Sequence, residues 1–355
     1  MISKIRWIET ECGLPYRNLA VEKILMNRVA PGECILYLWQ NRNTVVIGRN
    51  QDACEECQVE RLQADGGYLA RRYSGGGAVY HDDGNLNFSF LMLREDEDPA
   101  RQTEVILRAV RALGIPAERT GRNDLETNGR KFSGHAWYKT LDRCCHHGTL
   151  MMNVDLERMN RYLTAAPAKL RSRSVQSVRS RVMNLKEIRE DINRSKLTAE
   201  LIRAFEEVYG LRAESLILPA EAETEIDREK EELASAAWLF PPRMRHAVRT
   251  ESRFSWGGIR LEMLVDGGMV LEAVCRSDAM DEELIREIGN VLHGCAWNEA
   301  ALAERLNGLN CAGKMDPAER ERRRRIIADV TGMLREKGNL HDSAESEPSS
   351  PQHGP

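Results

Sequence analysis

Three consecutive glycines, Gly75, Gly76 and Gly77, directly follow a β-rich segment, and this run limits what the chain can build there. Each glycine loses more backbone freedom on ordering than any other residue, so neither a helix nor a strand interior tolerates the run well. It has to be a loop. It lies within Arg71-Arg72-Tyr73-Ser74-Gly75-Gly76-Gly77-Ala78-Val79-Tyr80-His81-Asp82. Bare backbone N–H groups on such a loop can hold phosphate or carboxylate oxygens, and a neighbouring arginine adds a planar cationic donor. The pattern is neither a Walker loop nor a spaced G-x-G-x-x-G. A flexible turn is the plain alternative, but the flanking arginines and the Ala-Val-Tyr-His-Asp that follows favour an anion-binding role.

The elements around this loop alternate without a steady β-α-β rhythm, so a mixed or antiparallel α/β domain is expected. Asn18 is read as the cap of a helix with Leu19, Val21, Ile24 and Leu25 on its apolar stripe. The segments 34–39 and 44–48 read as a hairpin turning at Asn41-Arg42-Asn43. A short helix is expected over 56–63, strands over 68–73 and 87–92, and an amphipathic helix over 101–113 stopped by Gly114. Strands near 131–138 and 148–154 and helices over 156–163 and 197–209 follow. The pattern resets near Pro241-Pro242. Beyond it come a strand pair, 253–265 and 269–275, turning at Asp266-Gly267-Gly268, and helices over 281–292, 298–306 (capped by Asn298) and 317–337. The domain expectation is 1–245, 250–340 and a Ser/Pro/Glu-rich tail, 341–355, read as disordered. The basic run Arg320–Arg325 is read as a solvated helix face.

At 355 residues the chain is long for a single core. Its net charge of −4, from 51 basic and 55 acidic residues, argues against bulk nucleic-acid binding. No apolar run reaches membrane-span length and no signal-peptide pattern opens the chain, so a cytoplasmic protein without a membrane partner is expected. Nine cysteines at irregular spacing suit free thiols in a reducing compartment. Cys54 and Cys57 with Cys144-Cys145-His146-His147 are a conceivable zinc set. Ordinary thiols are favoured, and no metal site is assigned.

Four further motifs carry chemistry. Gly121-Arg122-Asn123-Asp124-Leu125 offers an amide and a carboxylate that could orient a ribose, an amine or a metal. Asn128-Gly129 is a hairpin turn that projects Arg130 and Lys131. On a regular strand Lys131 and Ser133 share one face and Phe132 takes the other, so a buried Phe132 would leave Lys131 on the loop side. There a lysine can bind phosphate and carboxylate together. His146-His147-Gly148-Thr149-Leu150 and Ser177-Val178-Arg179-Ser180-Arg181-Val182 are weaker alone.

Together and in order, these motifs resemble bacterial lipoate–protein ligases. Asn18-Leu19-Ala20-Val21-Glu22, Thr44-Val45-Val46-Ile47-Gly48-Arg49 and Phe254-Ser255-Trp256-Gly257-Gly258 extend the resemblance over nearly the whole chain. It implies an α+β catalytic domain of the biotin/lipoate protein ligase kind with a smaller α+β accessory domain. It implies that lipoate and ATP, with Mg2+, give lipoyl-AMP. The acyl group then passes to a lysine of lipoyl domains of 2-oxo-acid dehydrogenase complexes or of glycine-cleavage H protein. Matched position by position, it implies ATP contacts at Arg72, Gly75, Gly76, Gly77, Ala78, Val79 and Tyr80. Lys131 is implied to touch both nucleotide and lipoate, and Asn85, Asp124 and His147 to serve the site. Lys131 and Asp124 are the candidates for catalysis. A monomer is expected. His135 departs from the family pattern, where a smaller or amide residue is usual. The rivals are an ATP-independent lipoyl or octanoyl transferase, a biotin ligase, which would carry a different arginine–glycine loop, and a non-enzymatic lipoate- or zinc-binding protein. The sequence leaves open the preferred acceptor and the choice between lipoate and octanoate.

Overall fold

The computed structural model describes residues 1–121, 123–164, 181–240, 248–309 and 315–338, with side chains as far as 335. They form two compact units, Met1–Pro242 and Arg243–Pro355.

The strands of the first unit are β1 (Lys4–Glu9), β2 (Glu33–Trp39), β3 (Thr44–Ile47), β4 (Tyr68–Arg71), β5 (Val79–His81), β6 (Asn85–Leu93), β7 (Glu118–Thr120), β8 (Asp124–Thr127), β9 (Arg130–Lys139), β10 (Arg143–Met151) and β11 (Ala213–Ser215). Its helices are α1 (Pro15–Arg28), α2 (Ala53–Glu56), α3 (Val59–Ala64), α4 (Pro99–Ala112), α5 (Leu156–Tyr162), α6 (Arg194–Tyr209), α7 (Ala222–Ala234) and α8 (Ala236–Leu239). Eight strands make one mixed sheet, ordered β11-β1-β2-β6-β10-β9-β8-β7. One face is covered by α4 and α6, whose Val105, Ile106, Val110, Leu201 and Phe205 pack on Phe88, Phe90 and Phe132. The other is covered by α1 and α7, whose Leu19, Ile24, Leu25, Ile226 and Leu233 pack with Tyr37, Trp39 and Leu91. A second sheet, β4-β3-β5, carries the glycine loop between β4 and β5.

Local chemistry explains most helix starts. Asp98 caps α4 by accepting from Arg101 N, Gly114 follows its end at φ +78°, and Asn193 caps α6 by accepting from Lys196 N. Asn128 and Gly129 both have positive φ, the geometry of a tight hairpin turn, and join β8 to β9.

Four readings from sequence are corrected in this unit. Asn18 is no cap. Pro15 opens α1, and Asn18 is fully buried inside it, donating to Cys12 O, Gln40 O and Asn41 Oδ1. The segments 34–39 and 44–48 are not a hairpin: β2 is buried along its length and pairs on both edges, with β1 and β6, so β3 is left to pair with β4 and β5. The connection is diverted by Asn18, which holds Gln40 O, and by the Arg42 N bond to Gly13 O. The helix expected over 56–63 is two short helices broken at Cys57, which bridges to Leu163. Alternation also fails on β9, where a bulge leaves Phe132 as the extra residue between the pairs Leu125–Ser133 and Glu126–Lys131. Phe132 and Ser133 are consequently both buried, and Ser133 does not share the face of Lys131.

In the second unit, β12 (Val248–Phe254), β13 (Gly257–Asp266) and β14 (Met269–Ser277) form an antiparallel sheet. The single strand expected over 253–265 is thus two strands, turned at Ser255-Trp256. Gly267 and Gly268, both at positive φ, make the next turn. Helices α9 (Glu282–Leu292), α10 (Glu299–Asn307) and α11 (Pro317–Gly338) close a core of Leu261, Met263, Ile285, Ile288 and Val330. Asn298 caps α10 through Ala301 N. The basic run is not wholly solvated, because Arg323 is buried against Asp281 and Glu283. Among the described residues no helix is long and apolar enough to cross a membrane.

Candidate active site

Of the two buried arginines before the glycine loop, Arg72 holds the loop itself and Arg71 holds the 48–51 turn and the end of α8. Arg71, 1% exposed, donates to the carbonyls of Gly48, Arg49, Gln51, Trp238 and Leu239 at 2.6–3.1 Å. Arg72 donates through Nε to Ser74 Oγ at 2.9 Å, through Nη2 to Gly75 O at 2.6 Å and Gly77 O at 2.8 Å, and through Nη1 to Val46 O. Sequence reading offered both arginines as ligands for an anion. Here each organises carbonyls, and the bonds of Arg72 draw the carbonyl side of the loop inward. Gly76 has φ +88°, open to glycine at little cost, and its oxygen lies only 2.1 Å from where a Cβ on Gly48 would stand. Gly77 is exposed, Ala78 and Val79 are half-buried, and Tyr80 is buried with its hydroxyl on Asn43.

Burial pulls the Arg72 guanidinium down to about 10, opposed by the nearby Glu22 carboxylate. The two are linked through Ser74 and His147. Ser74 Oγ lies 2.7 Å from His147 Nε2, and His147 Nδ1 lies 2.9 Å from Glu22 Oε1. Glu22 also accepts from Ser89, whose hydroxyl accepts the Trp39 indole N–H at 3.0 Å. Burial alone would raise the Glu22 carboxyl. The charge and hydrogen bond of His147, with bonds from Ser89 and Cys145, overcome this and leave it below its ordinary value.

Glu22, Cys145 and His147 also form the one cluster of three possible metal ligands among the described residues. Their donor atoms are committed to one another and to Ser74 and Ser89, and burial pushes the Cys145 thiol well up, so it stays protonated. Zinc needs the thiolate. Cys54 and Cys57 lie at α2, and among the described residues they form no ligand set with the Cys144–His147 stretch.

Lys131 reaches the same face of the sheet. Its Nζ forms a 2.7 Å ion pair with Asp124 and passes over the bare pleat of Gly134, 2.8 Å from where a Cβ would be. Gly134 and His147 both sit on the α1 face of adjacent strands, and Phe132 fills the α4 face. Residues 181–183 run beside it: Lys131 N donates to Arg181 O, and Met183 N to Lys131 O. Arg122 and the Ser177–Ser180 part of the basic motif lie outside the described residues.

Asn85 is buried, donates to Asn87 Oδ1, and among the described residues leaves its own Oδ1 without a partner. His81 Nε2 and Asn87 Nδ2 are likewise buried and unpartnered. Burial holds His81 at about 3, with Arg72 and His147 adding to the shift, so the ring is neutral. Sequence reading did not single out Glu22, Ser74, His81 or Asn87. Glu22 and His147 are 125 residues apart, and only the fold joins them. Ser74 and His81 lay inside the glycine-loop motif, Asn87 two residues beyond Asn85, and Glu22 at the end of the Asn18–Glu22 motif.

The chain belongs to the lipoyl protein ligase family: residues 14–206 match the Lipoyl protein ligase A/B catalytic domain, and residues 243–322 match the Bacterial lipoate protein ligase C-terminus. It is 37% identical over 317 residues to Lipoate-protein ligase A of Psychrobacter cryohalolentis, covering 87% of this chain and 94% of that protein. A bipartite lipoate protein ligase of Thermoplasma acidophilum, solved in work on its E2 lipoyl domain, is 26% identical with a TM-score of 0.61, over 69% of this chain and 99% of that one. A lipoate-protein ligase A crystallised with ATP is 25% identical with a TM-score of 0.59, over 67% and 98% of the two chains. LipL1 of P. falciparum, in complex with lipoate, shares the fold at a TM-score of 0.79, with 24% identity over 92% and 99%.

Proposed function

We propose that this chain joins lipoate to ATP, giving lipoyl-AMP and pyrophosphate, and then transfers the lipoyl group to a lysine ε-amine of a lipoyl domain or glycine-cleavage H protein. The carrying observation is that Lys131 Nζ lies over Gly134 on the strand pair β9–β10 whose His147 reaches Ser74 at the foot of the glycine loop. Adenylation brings two anions together, so the barrier falls where fixed positive charge and backbone donors await them. Lys131 supplies that charge to the carboxylate and the α-phosphate. The amides of Gly75–Val79 are the expected cradle for the phosphates, with Tyr80 buttressing the loop from below. The Lys131–Asp124 pair is only about one-third exposed. When Lys131 turns to the nucleotide, Asp124 is released to orient the incoming amine. Lys131 then stabilises the negative charge developing on the acyl carbonyl. His147, held by Glu22, fixes Ser74 and Arg72 under the loop. The apolar α1 face near Val79 suits the acyl chain.

Magnesium prefers hard oxygen ligands and keeps most of its water. The unpartnered Asn85 Oδ1 fits it as the protein oxygen, and the ion would screen the phosphates. The ATP-independent rival needs a reactive acyl acceptor. Cys145, the thiol nearest this network, is held protonated by burial, which speaks against it.

ATP–pyrophosphate exchange with lipoate, octanoate and biotin in turn tests the reading. Exchange is expected with lipoate and not with biotin, and no exchange with any acid would overturn it. We assign residues 1–245 the catalytic work and residues 250–340 an accessory role. Truncation after Pro242 should impair adenylation more than transfer, and unchanged adenylation would count against that assignment.

A further inference from the structure

A second polar chain lies on the opposite, α4 face of the sheet, directly beneath Lys131. Gln102 on α4, His146 on β10 and His135 and Ser133 on β9 are each at most 3% exposed. Gln102 Oε1 lies 2.7 Å from His146 Nδ1, His146 Nε2 lies 2.9 Å from His135 Nδ1, and His135 Nε2 lies 3.1 Å from Ser133 Oγ. Its polarity follows from one end. The Gln102 amide nitrogen donates to Met92 Sδ at 2.9 Å, so Oε1 faces His146 and can only accept. Each imidazole therefore donates from Nδ1 and accepts at Nε2, and the Ser133 hydroxyl must donate to His135. Both rings are neutral, because burial pushes His135 down to about 3 and His146 well below its ordinary value. Phe88 meets both rings edge-on, and Trp137 stacks on His146 at 4.6 Å.

Ser133 is the residue just after the bulge on β9, and the bulge is what sends Lys131 to one face and Ser133 to the other. His135 is also clamped through its backbone. Its N–H donates to Asn123 O at 2.8 Å, and Asn123 Nδ2 donates to its carbonyl at 3.3 Å. Asn123 directly precedes Asp124, the partner of Lys131. One buried imidazole thus ties the bulge, the Asn123–Asp124 segment and helix α4 together.

We propose that His135 is a positioning residue: linked through His146 to Gln102, it locks the β9 bulge and so sets where Lys131 presents its ammonium. A neutral ring with fixed tautomers does this without taking part in proton transfer. The inference rests on the adenylation reading of Lys131.

The experiment compares His135→Phe and Gln102→Met with the wild-type chain in lipoate-dependent pyrophosphate release, together with thermal melts. Gln102 lies across the sheet from the substrates, so its loss reports the tether alone. Each folded variant should lose about tenfold or more in kcat, the scale expected when a reacting group is misplaced by a fraction of an ångström. KM for ATP should change by less than about threefold. The double variant should be little worse than the poorer single one, since both cut one chain. A lower Tm with wild-type kcat in Gln102→Met, assayed well below its Tm, would make the chain merely structural and overturn the proposal. Absence of pyrophosphate release in the wild type would instead defeat the reading of Lys131 on which it stands.

Discussion

Gly134→Ala separates the place of Lys131 from its mere presence. Gly134 has no positive φ, so alanine is conformationally acceptable there. A Cβ would stand 2.8 Å from Lys131 Nζ and 3.0 Å from Cε, whereas ordinary contact begins near 3.4 Å, so the ammonium has to move by about 0.6 Å or more. The atoms in the way are the free end of a flexible side chain, which can yield without disturbing the backbone. The lost ion pair with Asp124, about one-third exposed on each side, is worth ~0.2–1 kcal/mol. Replacing glycine returns ~0.4–1 kcal/mol by restricting the unfolded chain. The two nearly cancel, and Tm should move by only a few degrees. Catalysis should not be spared. A displacement approaching 1 Å costs up to ~100-fold, so kcat for lipoyl-AMP formation should fall ~10–100-fold, or ~1.4–2.7 kcal/mol on the barrier. Stopped assays of pyrophosphate release at saturating ATP and lipoate, beside a thermal melt, read both quantities. Wild-type kcat in a folded Gly134→Ala chain would refute the claim that the ammonium must lie over this pleat.

Lys131→Ala should abolish lipoyl-AMP formation with the fold intact, and adenylation at wild-type rates would remove Lys131 from the reaction. In Gly48→Ala the new methyl meets the Gly76 carbonyl at 2.1 Å, a backbone clash that no side chain can relieve. It should cost ~1–3 kcal/mol in denaturant melts and raise the KM for ATP, and an unchanged KM would show that the loop does not hold nucleotide. Stability should also fall with acid. Buried His81 and His135 titrate near 3 and His146 below its ordinary value. At each of these rings the unfolded chain therefore binds more protons than the folded one from about pH 6.5 downward. The stability these rings contribute is full above that pH and is lost as pH falls toward 3, at up to ~1.4 kcal/mol per unit for each ring. A melting temperature flat between pH 6.5 and 5 would contradict the neutral buried rings.

The amino-acid order alone determined the local features. The run Gly75–Gly77 could only be a loop, Asn128-Gly129 could only turn a hairpin, and Asn298 stands where a cap belongs, because these depend on backbone freedom and on hydrogen bonds a few residues long. Motif order pointed in the same way to the family and to Lys131 and His147. The tertiary structure decided what depends on distant partners. Strand β2 pairs with β1 and β6, not with β3, since its two buried edges are satisfied from elsewhere in the chain. Asn18, a good cap by residue type, is instead drawn inside α1 by carbonyls it could not have met before folding. Glu22 meets His147 across 125 residues, and the bulge at Phe132 parts Lys131 from Ser133. Nothing in a two-residue alternation encodes an extra residue, so the face on which a side chain emerges was settled only when the two neighbouring strands and α4 closed around it.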